Sequence, residues 1–312
     1  MKSVVLEPRR TPQPGMASRR MTLAARRALT AYAFLTVPVL FFVGIRILPT
    51  LYAFGMSLFT DDGKGPTLAN FKTMVGDEVF RRALGNTLLY VVITVPLQMA
   101  AGLALALLIG RVTRLRGFYR TVYFLPYITS VVAVSWVWRL MYDPNSGVIN
   151  EVLGWFHIPA QLWLRDPHEA LLAVSIVMIW QNAGFAMLIF MAGLEAIPRS
   201  FLEAARVDGA GPWQVFRWVT WPLLNPTVVF LAVTGVISAL QTFTQIENLT
   251  GGSGGQAGGP LNSTVSMVVY VYNSGFNDFN LQYASAVTVV LFVLILLVTL
   301  IQLKVLNRAY EY

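Results

Sequence analysis

Apolar residues run through this chain in long stretches separated by short polar ones. A helix needs about 20 apolar residues to cross the hydrocarbon core of a bilayer. Six stretches reach that length, at about 31–56, 84–109, 119–142, 170–193, 227–249 and 283–305. The pattern predicts an all-α integral membrane protein, with a basic tail over 1–29 and six transmembrane helices over 30–312.

The most informative stretch is the polar interruption between the fourth and fifth runs, within 198–226. Ser200 followed three residues later by Glu203 has capping-box spacing, so a short helix is expected to begin there. It should end near Gly209, since glycine tolerates the left-handed conformation that closes a helix, and a second should begin at Pro212. Pro222 and Pro226 then break it. Ala204, Ala205, Gly209 and Ala210 leave the first helix open to close approach. Asp208 lies in that helix's last turn, where an acid opposes the macrodipole. A local rule broken without visible compensation points to a partner contact.

Composition agrees with a bilayer as solvent. Hydrophobic residues make up 56% of the 312 and charged residues 12%, about half the charged share of a soluble domain; mean hydropathy is +0.61. The net charge of +8 sits between apolar segments rather than on a patch, so it sets topology and does not call for nucleic acid. The tail, the turn at 111–120, the 198–226 loop and the C-terminus hold 16 of the 23 Lys and Arg. Basic residues favour the cytoplasmic side, so both termini and the 198–226 loop are expected inside. Ser18-Arg19-Arg20 has some look of a twin-arginine signal, but the apolar run after it is too long and no cleavage site is evident, so a retained tail is expected.

Polar residues inside the spans narrow the function. Gln181 and Asn182 sit midway along the fourth span, where an unpaired amide facing lipid is costly. In the fifth, Thr234, Ser238, Gln241, Thr242, Gln245 and Asn248 fall on one face at helical spacing. Polar glue between helices explains one or two such residues; a row of six neutral donors and acceptors suits the lining of a path for a hydroxyl-rich solute. Asn86, Tyr90 and Thr94 share a face of the second span, as helix–helix contacts or path lining. Pro126 interrupts the ladder of the third span. Arg46, close to the outer end of the first, snorkels or pairs within the bundle.

Several chemistries are excluded or unsupported. The chain has no cysteine, hence no disulfide or thiolate site. His157 and His168 have no partner at metal spacing, so no metal site is expected. The Gly-rich run after Gly251 lacks the strand, helix and lysine of a phosphate loop, and Asn262-Ser263-Thr264 matches a glycosylation sequon by chance. With no acid/base pair or activated nucleophile in reach of one another, catalysis in this chain is not expected. The ionisable groups that would couple ions in a secondary transporter are missing from the spans.

The run Glu203-Ala204-Ala205, with Asp208-Gly209-Ala210 and Pro222-Leu223-Leu224, resembles the EAA loop of the permease subunits of binding-protein-dependent ABC importers, most of all the maltose-type and glycerol-phosphate-type group. Leu125-Pro126 through Trp138 to Asp143-Pro144-Asn145-Ser146-Gly147, and Leu249-Thr250-Gly251-Gly252, are similar to the same group, and the likeness covers nearly all of the chain after about residue 30. The resemblance implies that the loop is a cytoplasmic coupling helix, with Glu203, Ala204, Ala205, Asp208, Gly209 and Ala210 at an ATPase subunit. It implies as partners a second, similar permease, two ATP-binding subunits that carry ATP and Mg, and an extracytoplasmic solute-binding protein. It places the solute path on the helices flanking the loop, where polarity singles out Gln181, Asn182, Ser238, Gln241, Thr242 and Gln245. Carbohydrate is the implied solute, with glycerol phosphate or a phosphodiester as the alternative, for which Arg46 and Arg139 are the candidate cations.

Overall fold

A computed structural model describes residues 22–60, 65–112, 114–251 and 257–306. Most of the expected basic tail, residues 61–64, most of the Gly-rich run after Gly251 and the C-terminal Arg308 lie outside those residues. All regular structure among the described residues is helical. The chain divides into two compact units, residues 1–52 and 53–312.

In the first unit, α1 (Leu23–Phe42) passes through a π-helical turn at Val43–Ile47 into α2 (Leu48–Met56), whose last residues enter the second unit. The amide of Leu48 reaches back five residues to the Val43 carbonyl. The next residue, Pro49, has no amide to donate, and the widened turn absorbs the loss. Arg46 lies inside this turn. The hydroxyls of Thr30, Thr36 and Thr50 each donate to a carbonyl four residues back, which satisfies them without a partner chain.

The second unit begins with α3 (Ala69–Gly76) and the long α4 (Glu78–Gly110). α4 starts six residues before the apolar run because Asp77 caps it, its Oδ1 accepting from the amides of Val79 and Phe80 at 2.8 and 3.1 Å. Its Oδ2 accepts from the hydroxyls of Tyr270 and Tyr283. Burial alone would raise this carboxyl, but the two phenols and two amides together hold it below the ordinary carboxylate range. Burial and the neighbouring carboxylate push the Tyr270 hydroxyl up to about 12.

The third span is not one helix. α5 (Arg116–Ile128) runs through Pro126 and stops at Thr129, which is extended, and Ser130, which is non-helical, before α6 (Val131–Met141) leaves at 92°. Beyond it lie α7 (Val148–Trp155) and α8 (Ala170–Ala196). α8 is the most deeply buried of the long apolar helices. It is held close by glycines: a Cβ on Gly184 would fall 1.9 Å from the Tyr123 carbonyl oxygen, and one on Gly102 of α4 would fall 2.5 Å from the Ala186 Cβ. Two apolar clusters flank this packing, one around Tyr90, Val174, Val177 and Val287, the other around Met187, Phe190, Leu224 and Leu231.

The interruption after α8 folds as α9 (Arg199–Val207), then α10 (Pro212–Val215), a π-helical turn at Phe216–Thr220 ahead of Pro222, and α11 (Trp221–Leu223). A 62° bend leads into α12 (Asn225–Leu240). The fifth span, expected as one helix over 227–249, ends at Leu240; Gln241–Phe243 break it and α13 (Thr244–Thr250) follows. The buried Thr242 marks the break: its hydroxyl donates to the Ser238 carbonyl and its own carbonyl accepts from Ser266 Oγ. α14 (Met267–Tyr272) and α15 (Leu281–Leu306) are the last α-helices among the described residues. Among the described residues, four helices are long and apolar enough to cross a membrane, or up to six if each bent pair forms one span.

Candidate functional site

Two regions carry the residues singled out from sequence. The first is a cavity of about 170 Å³ between α4, α5, α8 and α12. α4 contributes Thr94 and Gln98, α5 Tyr127, α8 Asn182 and Phe185, and α12 Thr234, Gly235 and Ser238. None of its lining residues is ionisable apart from the phenol of Tyr127. Thr94 and Thr234 give their hydroxyl protons to the carbonyls of Tyr90 and Phe230, and Asn182 Nδ2 donates to the Met178 carbonyl at 2.9 Å. With their protons spent on their own helices, the Thr94 and Thr234 hydroxyls keep only acceptor capacity, while the Asn182 amide keeps its acceptor oxygen. Gly235 makes room for Gln98, since a Cβ there would lie 2.9 Å from Gln98 Nε2. The rings of Tyr127 and Phe185 lie nearly parallel at 4.8 Å, and Phe124 stacks on Tyr127 at 5.6 Å.

Of the residues expected along a path, Asn182 and Ser238 meet here, with Thr234 beside them. Gln181 does not line this cavity. It is buried, and its Nε2 donates to the Pro126 carbonyl at 3.4 Å. That carbonyl would be served by the amide of residue 130 in a continuous helix, so Gln181 supplies the bond that the break in the third span removes. Gln241, Thr242 and Gln245 also lie outside the cavity, at and beyond the break after Leu240. Sequence reasoning passed over Gln98, Tyr127 and Phe185. Gln98 had a legible signal, because it extends the row Asn86, Tyr90, Thr94 by one more step of four. Of that row, Asn86 donates to the carbonyls of Asn262 and Val265 and serves packing.

A larger cleft of about 350 Å³ lies among the loops near Arg139 and Arg165. Arg165 pairs with Asp143 at 3.3 Å, while Arg139 donates to the Gly251 carbonyl and lies over the Trp136 ring. Asp143 accepts from the amides of Ser146 and Asn145 and from the Ser146 hydroxyl, which hold its carboxyl below the usual range.

The second region is the segment from α9 to α11. The expected capping box does not form: α9 begins at Arg199 after Pro198, with no side-chain cap. Ser200 therefore sits inside the first turn rather than ahead of it. The far end is as expected. Gly209 has φ +79°, its amide donates to the Arg206 carbonyl, and the Ala210 amide reaches the Ala205 carbonyl, the paired bonds of a Schellman close. Glu203, Ala204, Asp208 and Gly209 are exposed, Ala205 and Ala210 partly so. Large apolar side chains are exposed beside them, with Val207 at 87% and Trp213 and Trp218 each at 72%. Exposed apolar side chains of this size mark a surface that meets either a partner or the membrane.

Apolar helices of spanning length, broken around a neutral polar cavity, define a helical membrane permease. Residues 98–312 match the family model described as "Binding-protein-dependent transport system inner membrane component", and the chain belongs to that family. It is 35% identical over 248 residues to the sn-glycerol-3-phosphate transport system permease protein UgpA of Agrobacterium fabrum, covering 78% of this chain and 82% of that protein. It is 33% identical over 260 residues to the lactose transport system permease protein LacF of Rhizobium radiobacter, covering 81% and 86%. Among solved structures, it is similar to a chain of the bacterial alginate ABC transporter in complex with alginate pentasaccharide-bound periplasmic protein. There the TM-score is 0.78 at 25% identity, covering 91% of this chain and 96% of that one. The chain is thus a multi-pass inner-membrane component of a binding-protein-dependent transport system.

Proposed function

We propose that this chain is one of two permease subunits of an ATP-driven importer for a carbohydrate, working by alternating access. The observation that carries the reading is the cavity between α4, α5, α8 and α12. It offers neutral amides and hydroxyls with open acceptor oxygens beside the aromatic Tyr127–Phe185 pair. Sugar hydroxyls donate to such acceptors, and the apolar face of a ring packs against an aromatic one. At about 170 Å³ the cavity is smaller than the roughly 300–1,000 Å³ of sites that enclose drug-sized ligands, which suits one sugar ring or one end of a chain.

In this reading six spans cross the membrane, each bent pair counting as one. Both termini and α9 to α11 face the cytoplasm, as the distribution of Arg and Lys favours. An ATP-binding subunit seats against Glu203, Ala204, Ala205, Asp208, Gly209 and Ala210 and supplies ATP and Mg. A solute-binding protein delivers from outside, a role supported by the periplasmic protein named with the alginate transporter. Asn182 and Ser238 contact solute, while Gln181 and Thr242 brace the breaks in the third and fifth spans. Gln241 and Gln245 lie on the outer approach.

Glycerol phosphate is the second reading, favoured by the likeness to UgpA. A phosphate wants a cation, and none lines the cavity. Competition distinguishes the two: uptake by the assembled transporter in proteoliposomes should be blocked by a neutral sugar and untouched by glycerol 3-phosphate. The reverse result overturns the carbohydrate reading.

A further inference from the structure

A groove of about 470 Å³ runs between the end of α4, the end of α8 and the α9–α11 segment. Its walls are apolar, among them Leu107, Leu194, Leu202 and Phe216, and Arg111 is its only charged lining residue. Two other grooves of similar size, about 540 Å³ beside Phe190 and 520 Å³ beside Trp180, have no charged lining. Trp213, which also lines the Arg111 groove, is 72% exposed, and Arg217 of the same segment lies over Trp218 at 5.1 Å. Exposed indoles and basic side chains are the kinds of group that settle at a membrane–water interface.

We propose that this groove binds an anionic phospholipid, with its phosphate at Arg111 and an acyl chain along the apolar wall. Charge complementarity argues for an anionic head. Glu195, the carboxylate next to Leu194 in sequence, is already paired with Arg116 at 2.7 Å and does not cancel Arg111. A cation just past α4 also complements that helix's dipole, which accounts for a basic residue there but not for an apolar slot beside it. Basic pockets between membrane helices on the cytoplasmic side are sites for such headgroups. The inference rests on the proposed cytoplasmic placement of this face. A lipid here would wedge the coupling segment against α4 and α8 and so make coupling sensitive to bilayer composition.

The test uses the assembled transporter in nanodiscs of equal phosphatidylglycerol and phosphatidylcholine, with retained lipid read by native mass spectrometry. Retained lipid should favour phosphatidylglycerol by about five-fold, the worth of one basic residue near an anionic surface, and Arg111→Gln should bring the ratio to one. A photo-crosslinking residue in place of Leu202 should capture lipid. Equal retention by the unmodified protein, an unchanged ratio in Arg111→Gln, or crosslinks to the ATPase instead of lipid would each overturn the proposal. None of these readings depends on which solute is imported, so the uptake competition stands or falls separately. Labelling of a cysteine placed in the α9–α11 segment from inside or outside sealed vesicles checks the placement on its own.

Discussion

The ring of Tyr127 lies against the ring of Phe185, centroids 4.8 Å apart and planes 16° from parallel. Tyr127 stands two residues before the break that ends α5, and Phe185 lies in the middle of α8. The pair therefore joins the broken third span to the most buried helix at the wall of the cavity. Replacing Tyr127 with Ala should raise the apparent KM for uptake by about ten-fold, in line with the roughly 0.5–1.5 kcal/mol of an aromatic contact plus the lost burial. Tyr127→Phe should keep most of the affinity. Equal losses in the two variants would show that the hydroxyl, not the ring face, is what matters.

The approach of α5 to α8 rests on a missing side chain. A Cβ on Gly184 would meet the Tyr123 carbonyl at 1.9 Å, whereas one on Gly154 in α7 meets nothing within 4 Å. Gly184→Ala should destabilise the detergent-solubilised protein by about 2 kcal/mol, the cost of overpacking a rigid contact. Gly154→Ala should stabilise it by roughly 0.5–1 kcal/mol, since alanine loses less backbone freedom in a helix. Thermal unfolding of the two variants against the parent checks both signs.

Asp77 ties the start of α4 to α14 and α15 through Tyr270 and Tyr283. Its carboxyl is held below the ordinary range in the fold. The stabilisation it gives is therefore complete above the unfolded value of about 3.9 and is lost as pH falls through the lower, folded value. Asp77→Asn should cost about 2 kcal/mol at neutral pH, typical of hydrogen bonds to a charged acceptor, and the gap to the parent should close in acid. Unfolding midpoints measured from pH 7 downward would show a constant gap if the charge were irrelevant.

Gly209 closes α9 at φ +79°, a conformation that costs a non-glycine residue about 1–2 kcal/mol. In Gly209→Val the Schellman close should fail while the membrane helices fold as before. Uptake should fall at least ten-fold with ATP hydrolysis by the assembled complex retained. Coupled uptake at the parental rate would remove Gly209 from the coupling role.

Much of this was legible in the chain itself. The long apolar runs gave α4, α8 and α15, and glycine and proline spacing gave the end of α9 and the start of α10 at Pro212. The breaks in the third and fifth spans were legible only in part: Pro126 marks an interruption, but α5 runs through it and stops at Thr129, and Gln241 and Thr242 read as part of a continuous helix face. Nothing local distinguishes Thr129–Ser130 or Gln241–Phe243 from positions within a helix, and what permits a break is a donor or acceptor from elsewhere: Gln181 for the Pro126 carbonyl, Ser266 for that of Thr242. The N-cap of α9 was misplaced by two residues, at Ser200 instead of Pro198, because Ser200 and Glu203 fit a pattern that Pro198 pre-empts. In the cavity, Asn182 and Ser238 were found by polarity, but Tyr127 and Phe185 read as ordinary apolar residues until the fold stacked them.

Uptake by proteoliposomes tests the central claim most directly. The assembled transporter, loaded with ATP inside and given solute-binding protein and labelled sugar outside, should accumulate the sugar against its gradient. It should stop when the ATPase subunits are omitted, and Asn182→Ala should slow it. Accumulation by this chain without any ATPase, or at an unchanged rate in Asn182→Ala, would contradict the account.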